Sequence, residues 1–486
     1  MDPVDALSRE ELVVLVGDLL LVNAEQQTRI ARLEEELTRL RGGPPPKPER
    51  EAPSFVKPNR PAREKKPPKP RAHGFARGRE EPTQVIEHFP ERCSECGRKL
   101  WGGWVHASRQ VMEIPLTPVE IIEHRFWARH CGVCQKREFA RPDLSQQVVG
   151  QSRLGVRLMS LIGYLDTVCR MPLASIQSLL SSLYGLRVSQ GEIVGVLHRL
   201  ARVGQRAYEE LLREVRQSQV VHADETGARQ DGLNGYVWVL TTPAVRYYHR
   251  DPSRAAGVIQ ELLGYDPRVY QAKTAKAVRE ARELARQEKR TGAVRFSGKL
   301  VSDFYSGYHW YAGWHQYCLV HLGRDLHDLR EAHPQDAGIG AWVQKVLDLL
   351  ERAKEYARAQ NEQPTDTGQQ RRRRRKAFEQ EAEALSRPYL QNALPQRTLA
   401  ERIRKHQSQL FVFVEHPEVP PDNNAAERAI RPFVVLRKVS GGTRSAAGSH
   451  TQVVLLSLFG TWKLRGLEVL AACRQMLTGA AVAAPT

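Results

Sequence analysis

The sequence has no run of about 18 consecutive apolar residues, the length a membrane-crossing helix needs, so no membrane span is expected. Its opening, Met1-Asp-Pro-Val-Asp-Ala6, lacks the basic-then-apolar order of a secretory signal. Cysteine is scarce, with 7 in 486 residues. Four of these form two Cys-x-x-Cys pairs, which suits metal binding in a reducing cytoplasm better than a disulfide scaffold. Acidic residues are also short, 55 against 73 basic, leaving a formal charge of +18. So large an excess points to a polyanion, most often nucleic acid, and to a cytoplasmic, nucleoid-associated place of action.

Residues 8–42 read as one helix. Val16, Asn23, Ile30 and Leu37 recur at one heptad position, and Leu12, Leu19, Gln26, Leu33 and Leu40 at the other. That seam predicts a coiled coil pairing two or more copies of the chain, with Asn23 setting register. From Pro44 to Glu80 ten prolines and many Lys and Arg leave too little apolar surface to order the chain, so a basic linker is expected over 43–84.

Residues 85–148 contain Cys93-Ser-Glu-Cys96 and Cys131-Gly-Val-Cys134. Two such knuckles present four thiolates to one structural Zn²⁺, and the β-rich run Glu120–Trp127 between them predicts a zinc ribbon. Residues 150–218 read as a helical domain. Pro172 starts a helix and Ser189 caps another, in a pattern suited either to DNA contact or to buttressing the domain that follows.

The chain's organising stretch is Val220-Val-His-Ala-Asp224-Glu-Thr-Gly227, followed by apolar runs at 236–242 and 245–249. This is a strand ending in a carboxylate and then an antiparallel meander, as at the first metal ligand of a ribonuclease-H-like fold. A helix is expected over 253–264 and another over Ala272–Arg290. Gly298–Tyr308 repeats the pattern of strand then carboxylate with Asp303, and a strand lying beside the first would put the two aspartates at neighbouring strand ends. Asp422-Asn-Asn-Ala-Ala-Glu427-Arg-Ala-Ile-Arg431-Pro432 should open a helix with an Asp/Asn cap, carry Glu427 one turn in, and end or kink at Pro432. Three carboxylates in this order suit two Mg²⁺ ions roughly 3.5–4 Å apart, or Mn²⁺ in their place, for phosphoryl transfer.

Residues 336–410 form a helical insertion broken at Gln363–Gln370 and at Arg371–Lys376, whose six consecutive cations suggest phosphate contact or a solvated run. The Gly-hinged turn Arg437–Arg444 offers the backbone N–H groups of Gly441 and Gly442 to a phosphate, with Lys438 and Arg444 adding charge. Arg428 and Arg431 would also position DNA. A last helix is expected over 449–477.

The segments His222–Thr226, Val301–Tyr308 and Asn423–Pro432 resemble the three signature segments of the insertion sequence 66 family transposases, which are DDE-type enzymes. The order of coiled coil, basic linker and double Cys-x-x-Cys module is similar too. The resemblance implies an α/β ribonuclease-H-like catalytic core, here over 219–335 and 411–478, with Asp224, Asp303 and Glu427 as its Mg²⁺-binding triad. It also implies terminal inverted repeats and target DNA as substrates and two small accessory proteins of the same element as partners. Cys318-Leu-Val-His321 resembles the Cys-x-x-His found after the second Asp in several DDE groups; a pair packed in the core is its plainer reading. The rivals are a structure-selective nuclease or resolvase using the same triad and a non-catalytic, zinc-containing DNA-binding regulator.

Overall fold

The computed structural model describes residues 22, 25–30, 32–33, 81–112, 119–268, 294–391 and 393–479. The chain forms two units, Met1–Glu113 and Ile114–Thr486. In the first, residues 22, 25–30, 32 and 33 are helical, and residues 81–112 are irregular apart from an antiparallel bridge between Arg92 and Lys99. The rest of the expected coiled coil and most of the linker lie outside the described residues, as do the helix expected over 272–290 and the tail beyond 479.

The second unit begins with a short antiparallel hairpin, β1 (Ala128–His130) and β2 (Arg137–Phe139). The run Glu120–Trp127 forms no strand, contrary to the sequence expectation. Its Ile121, Ile122, Phe126 and Trp127 are exposed, so no second layer buries the apolar face that a sheet there would need.

Three helices follow, α1 (Val156–Thr167), α2 (Leu173–Tyr184) and α3 (Gln190–Gln217). Pro172 precedes α2, and Gly185, left-handed at φ 63°, closes it. Ser189 and Glu192 form a reciprocal capping box at the start of α3. Ile193, Val196, Leu197, Leu200, Gly204, Tyr208, Leu211 and Val215 then bury one stripe of that helix at three- and four-residue spacing.

The sheet comprises β3 (Val220–Gln230), β4 (Leu233–Thr241), β5 (Arg246–Asp251), β6 (Lys299–Ser302) and β7 (His315–Tyr317), in the order β5-β4-β3-β6-β7. The first three are a meander, and β6 and β7 add parallel to β3. Helix α4 (Ala256–Leu262) is shorter at both ends than the sequence suggested.

Beyond the sheet come α5 (Leu319–Ala332), α6 (Ala337–Glu362), α7 (Gly368–Ser386), α8 (Arg397–Leu410), the single turn α9 (Val412–Glu415) and α10 (Asn424–Ser440). The expected last helix is two, α11 (Ala446–Leu464) and α12 (Val469–Thr478). Gly466 takes a left-handed φ of 71° between them, and the Glu468 side chain caps the second.

The basic run Arg371–Lys376 does not interrupt the insertion but lies within α7. Helical spacing puts Arg371 and Arg375 on its buried side, at 6% and 4% exposure. Arg371 donates to the Gln360 carbonyl at 2.6 Å, and Arg375 pairs with Glu415 at 2.9 Å. Protein groups therefore engage Arg371 and Arg375, part of the run that was expected to need phosphate; Arg372 and Arg373 face solvent.

Strand alternation sorts the packing. Val221, Ala223, Trp238, Leu240, Tyr247 and Leu300 join the core made with α1–α4, α11 and α12. Val220 and Val301 turn the other way, toward α5–α9. On that second face Ala228, Val237, Val239 and Tyr248 pack against Ala426, Ala429, Ile430 and Phe433 of α10.

Candidate active site

The same alternation decides which acidic residues share a face. Asp224 follows Val220 by four residues along β3, so its carboxylate lies on the face covered by α10 and the insertion; Asp303 stands one residue past β6, two after Val301 of the same face. They are also level with one another. The parallel register pairs His222 with Val301, and each aspartate stands two residues further along its chain. Asp224 is not at a strand end, however. β3 runs six residues past it, held by β4, while pairing with β6 has stopped at His222. The carboxylate sits where one side of β3 loses its partner strand.

Glu427 comes from the first turn of α10, whose buried residues seat the helix on this face. Pro432 neither ends nor breaks α10, which continues to Ser440. Asn423 is the residue whose role was misjudged in the sequence. Its side chain makes no cap. Instead Nδ2 donates to the Ala223 carbonyl at 2.8 Å, and Oδ1 lies 3.1 Å from Nδ1 of His222, which must therefore carry the proton. At 1% exposure, Asn423 ties the start of α10 to the strand residues just before Asp224. Asp422 takes the neighbouring cap position, accepting from the Asn424 N–H at 3.0 Å. The surplus of Asx residues before Glu427 was the available signal, since one cap needs only one.

Asp224 feels the charge of both other acids. Burial pushes the Asp224 carboxyl up to about 7, and the charges of Glu225, Asp303 and Glu427 add to the rise against one backbone hydrogen bond. Asp224 Oδ1 accepts the Glu225 N–H at 2.8 Å and Asp303 Oδ1 the Tyr305 N–H at 2.9 Å, leaving further carboxylate lone pairs on both. One Glu427 oxygen, Oε1, is buried without a hydrogen-bond partner.

Glu225, next to Asp224, faces the other way. Its side chain is 1% exposed, takes Arg254 at 2.6 Å on Oε1 and accepts the Tyr308 hydroxyl at 2.5 Å on Oε2. Both oxygens are engaged, so it braces the opposite face.

Among the described residues, Cys318, His321 and Glu427 form a group of ligand atoms all within 4.8 Å of one another. Cys318 follows β7 and directly precedes α5; the Asn423 N–H donates to its sulfur at 3.2 Å.

Arg428, Arg431, Lys438 and Arg444 are all exposed, the first three on α10 and the last in the turn beyond it. That turn cannot offer its backbone to a phosphate as expected. The Gly441 N–H donates to the Arg437 carbonyl at 2.9 Å and that of Gly442 to Ser440 Oγ at 3.3 Å. The turn serves instead to dock on the far end of β3, through Thr443 N–H to the Arg229 carbonyl and Asp231 N–H to the Thr443 carbonyl. Gly442, at φ 119°, has no room for a Cβ, which would meet the Arg229 carbonyl oxygen at 2.6 Å.

Cys93 and Cys96 belong to the first unit, Cys131 and Cys134 to the second. Each pair occupies the tip of its own hairpin, and the two tips match. Arg92 pairs with Lys99 and His130 with Arg137, each first cysteine following directly. Cys93 N–H donates to the Arg98 carbonyl at 2.9 Å and Cys131 N–H to that of Lys136 at 2.8 Å. Gly97 and Gln135, both four residues after the first cysteine, take positive φ. Backbone N–H groups of Cys96 and Glu95 hold the Cys93 thiol below its ordinary range, and those of Cys134 and Val133 do the same for Cys131.

Among the described residues no helix is long and apolar enough to cross a membrane. In comparison with curated proteins, the chain is 37% identical over 70 residues to "Uncharacterized protein y4jO" of Sinorhizobium fredii (strain NBRC 101917 / NGR234); the match spans 14% of this chain and 22% of that protein. The family model described as "Transposase IS66 family" matches residues 151–451, well over half of the sequence and all of the sheet, the insertion and α10. The chain belongs to the IS66 transposase family.

Proposed function

We propose that this transposase cleaves the 3′ ends of its element's terminal inverted repeats and joins them to target DNA, using divalent cations held by Asp224, Asp303 and Glu427. The observation that carries the reading is the parallel register of β3 and β6, which sets Asp224 on β3 level with Asp303 one residue past β6, with Asp224 feeling the charge of Asp303 and Glu427. The strand order, with β4 antiparallel beside β3 and then β6 and β7 parallel, supports a ribonuclease-H-like core.

The donor set fits Mg²⁺, or Mn²⁺ in its place, because it consists of hard carboxylate oxygens, and burial with its acidic neighbours leaves Asp224 reluctant to ionise without a cation. When bound, a pair of such ions supplies an activated water or 3′-hydroxyl and neutralises charge on the phosphate. The chain's own part is positional. Asn423 and the α10 core hold Glu427 against β3, Glu225 and Arg254 brace the opposite side, and exposed Arg428, Arg431, Lys438 and Arg444 meet the DNA backbone. The coiled coil over 8–42 would pair protomers so that two ends are held together, and the two accessory proteins of the element would join that assembly.

The test uses duplexes carrying the element's own ends. Mg²⁺-dependent nicking at the 3′ ends, stopped by chelation, and joining of precut ends to a second duplex are expected. Nicking without joining would make the protein a nuclease or resolvase, and metal-independent binding without either would make it a regulator.

The two Cys-x-x-Cys pairs of the sequence support one structural Zn²⁺ on Cys93, Cys96, Cys131 and Cys134. Four protein ligands would leave no open position for chemistry there. Purified full-length protein is expected to carry one zinc on these thiolates, and Cys131→Ser to lose it. An unchanged zinc content in that variant would remove the assignment.

A further inference from the structure

Glu427 is drawn in two directions. In the reading above, which this inference presupposes, it joins Asp224 and Asp303; Cys318 and His321 also lie beside it. His321 Nε2 lies 3.9 Å from Glu427 Oε1, too far for a hydrogen bond yet close enough for two ligands of one ion. Oε1 has no hydrogen-bond partner, and neither does the buried Nδ1 of His321. The sulfur of Cys318 accepts the backbone N–H of Asn423 at 3.2 Å, which holds it beside the other two ligand atoms. His321 and Glu427 keep 30% and 28% of their side chains exposed, so an ion can enter from solvent.

We propose that Cys318, His321 and Glu427 form a second, inhibitory metal site for a thiophilic divalent cation such as Zn²⁺ or Cd²⁺. One sulfur, one imidazole and one carboxylate leave a fourth position open, as in three-ligand zinc centres, and sulfur selects against Mg²⁺. An ion seated there claims the Glu427 oxygen that Mg²⁺-dependent cleavage needs. Zinc therefore holds the catalytic helix in an idle state, and the cleavage rate follows the balance of the two metals. Burial pushes the Cys318 thiol up, so the site takes its metal with release of a proton.

The test counts Cd²⁺ bound to the full-length protein by equilibrium dialysis in excess Mg²⁺, without DNA. The wild type should bind one ion more per chain than Cys318→Ser or His321→Gln. The serine hydroxyl can still accept the Asn423 N–H, and His321 is partly exposed, so a folding failure common to both variants is not expected; thermal melting checks this. In nicking assays, each protein normalised to its own zinc-free rate, the Zn²⁺ concentration for half-inhibition should rise roughly tenfold or more in Cys318→Ser. Equal Cd²⁺ counts in all three proteins, or equal zinc sensitivity of wild type and Cys318→Ser, would overturn the site. If no form nicks DNA, the transposition chemistry fails, and the cadmium counts alone decide this proposal.

Discussion

Asp224→Asn should reduce Mg²⁺-dependent end nicking by at least about a thousandfold, roughly 4 kcal/mol of transition-state stabilisation, with DNA affinity at fixed salt little changed. The amide keeps the size of the carboxylate and can keep the hydrogen bond from the Glu225 N–H, but it is neutral and a poor ligand for a hard cation. The neighbouring acid is the control. Glu225→Gln alters a side chain on the opposite face, where it holds Arg254 and Tyr308, so it should weaken the fold and slow nicking far less. Alternation along β3 makes this a sharp test, since one residue of register exchanges the two acids. If Glu225→Gln abolished nicking and Asp224→Asn spared it, the catalytic face would have been misassigned.

The parts of this arrangement that were legible in the sequence are those written in short-range pattern. Apolar runs leading to Asp224 and Asp303 marked the strands, and an Asx cluster before Glu427 marked the start of α10. What escaped depends on partners distant in the chain. Nothing near Arg375 announces that Glu415 will neutralise it, so a run of cations read as a phosphate surface. Nothing near Gly442 announces that the β3 end will occupy the turn. Pro432 reads locally as a helix stop, yet the packing of Ile430, Phe433 and Leu436 in the same core carries α10 through it. Asn423 shows the same limit at the site itself. A capping residue was recognisable, but its bonds to His222 and Ala223, some 200 positions earlier, were not.

The crowding of acids also has a thermodynamic signature that needs no DNA. The Asp224 carboxyl sits at about 7 in the folded protein because of burial and the charges of Glu225, Asp303 and Glu427, whereas an unfolded aspartate titrates near 3.9. The folded state thus holds a proton that the unfolded chain has released. The resulting stability is fully present below about pH 4, is lost as pH rises toward 7, and stays lost above it. Each tenfold difference in proton affinity between the two states corresponds to about 1.4 kcal/mol, a rate that is discounted here because the carboxyl is partly open to solvent. A cost of about 1–3 kcal/mol at pH 8 is the reasonable scale, or several degrees of melting temperature. In metal-free protein, Asp224→Asn should therefore melt above wild type at pH 8 and close to it near pH 4, the gap opening across that window. Saturating Mg²⁺ should raise the wild-type melting temperature at pH 8, since a ligand of the folded state alone stabilises it. The variant should show little of that rise. A gap independent of pH, or an equal Mg²⁺ response in the two proteins, would mean that the three carboxylates do not share a cation site.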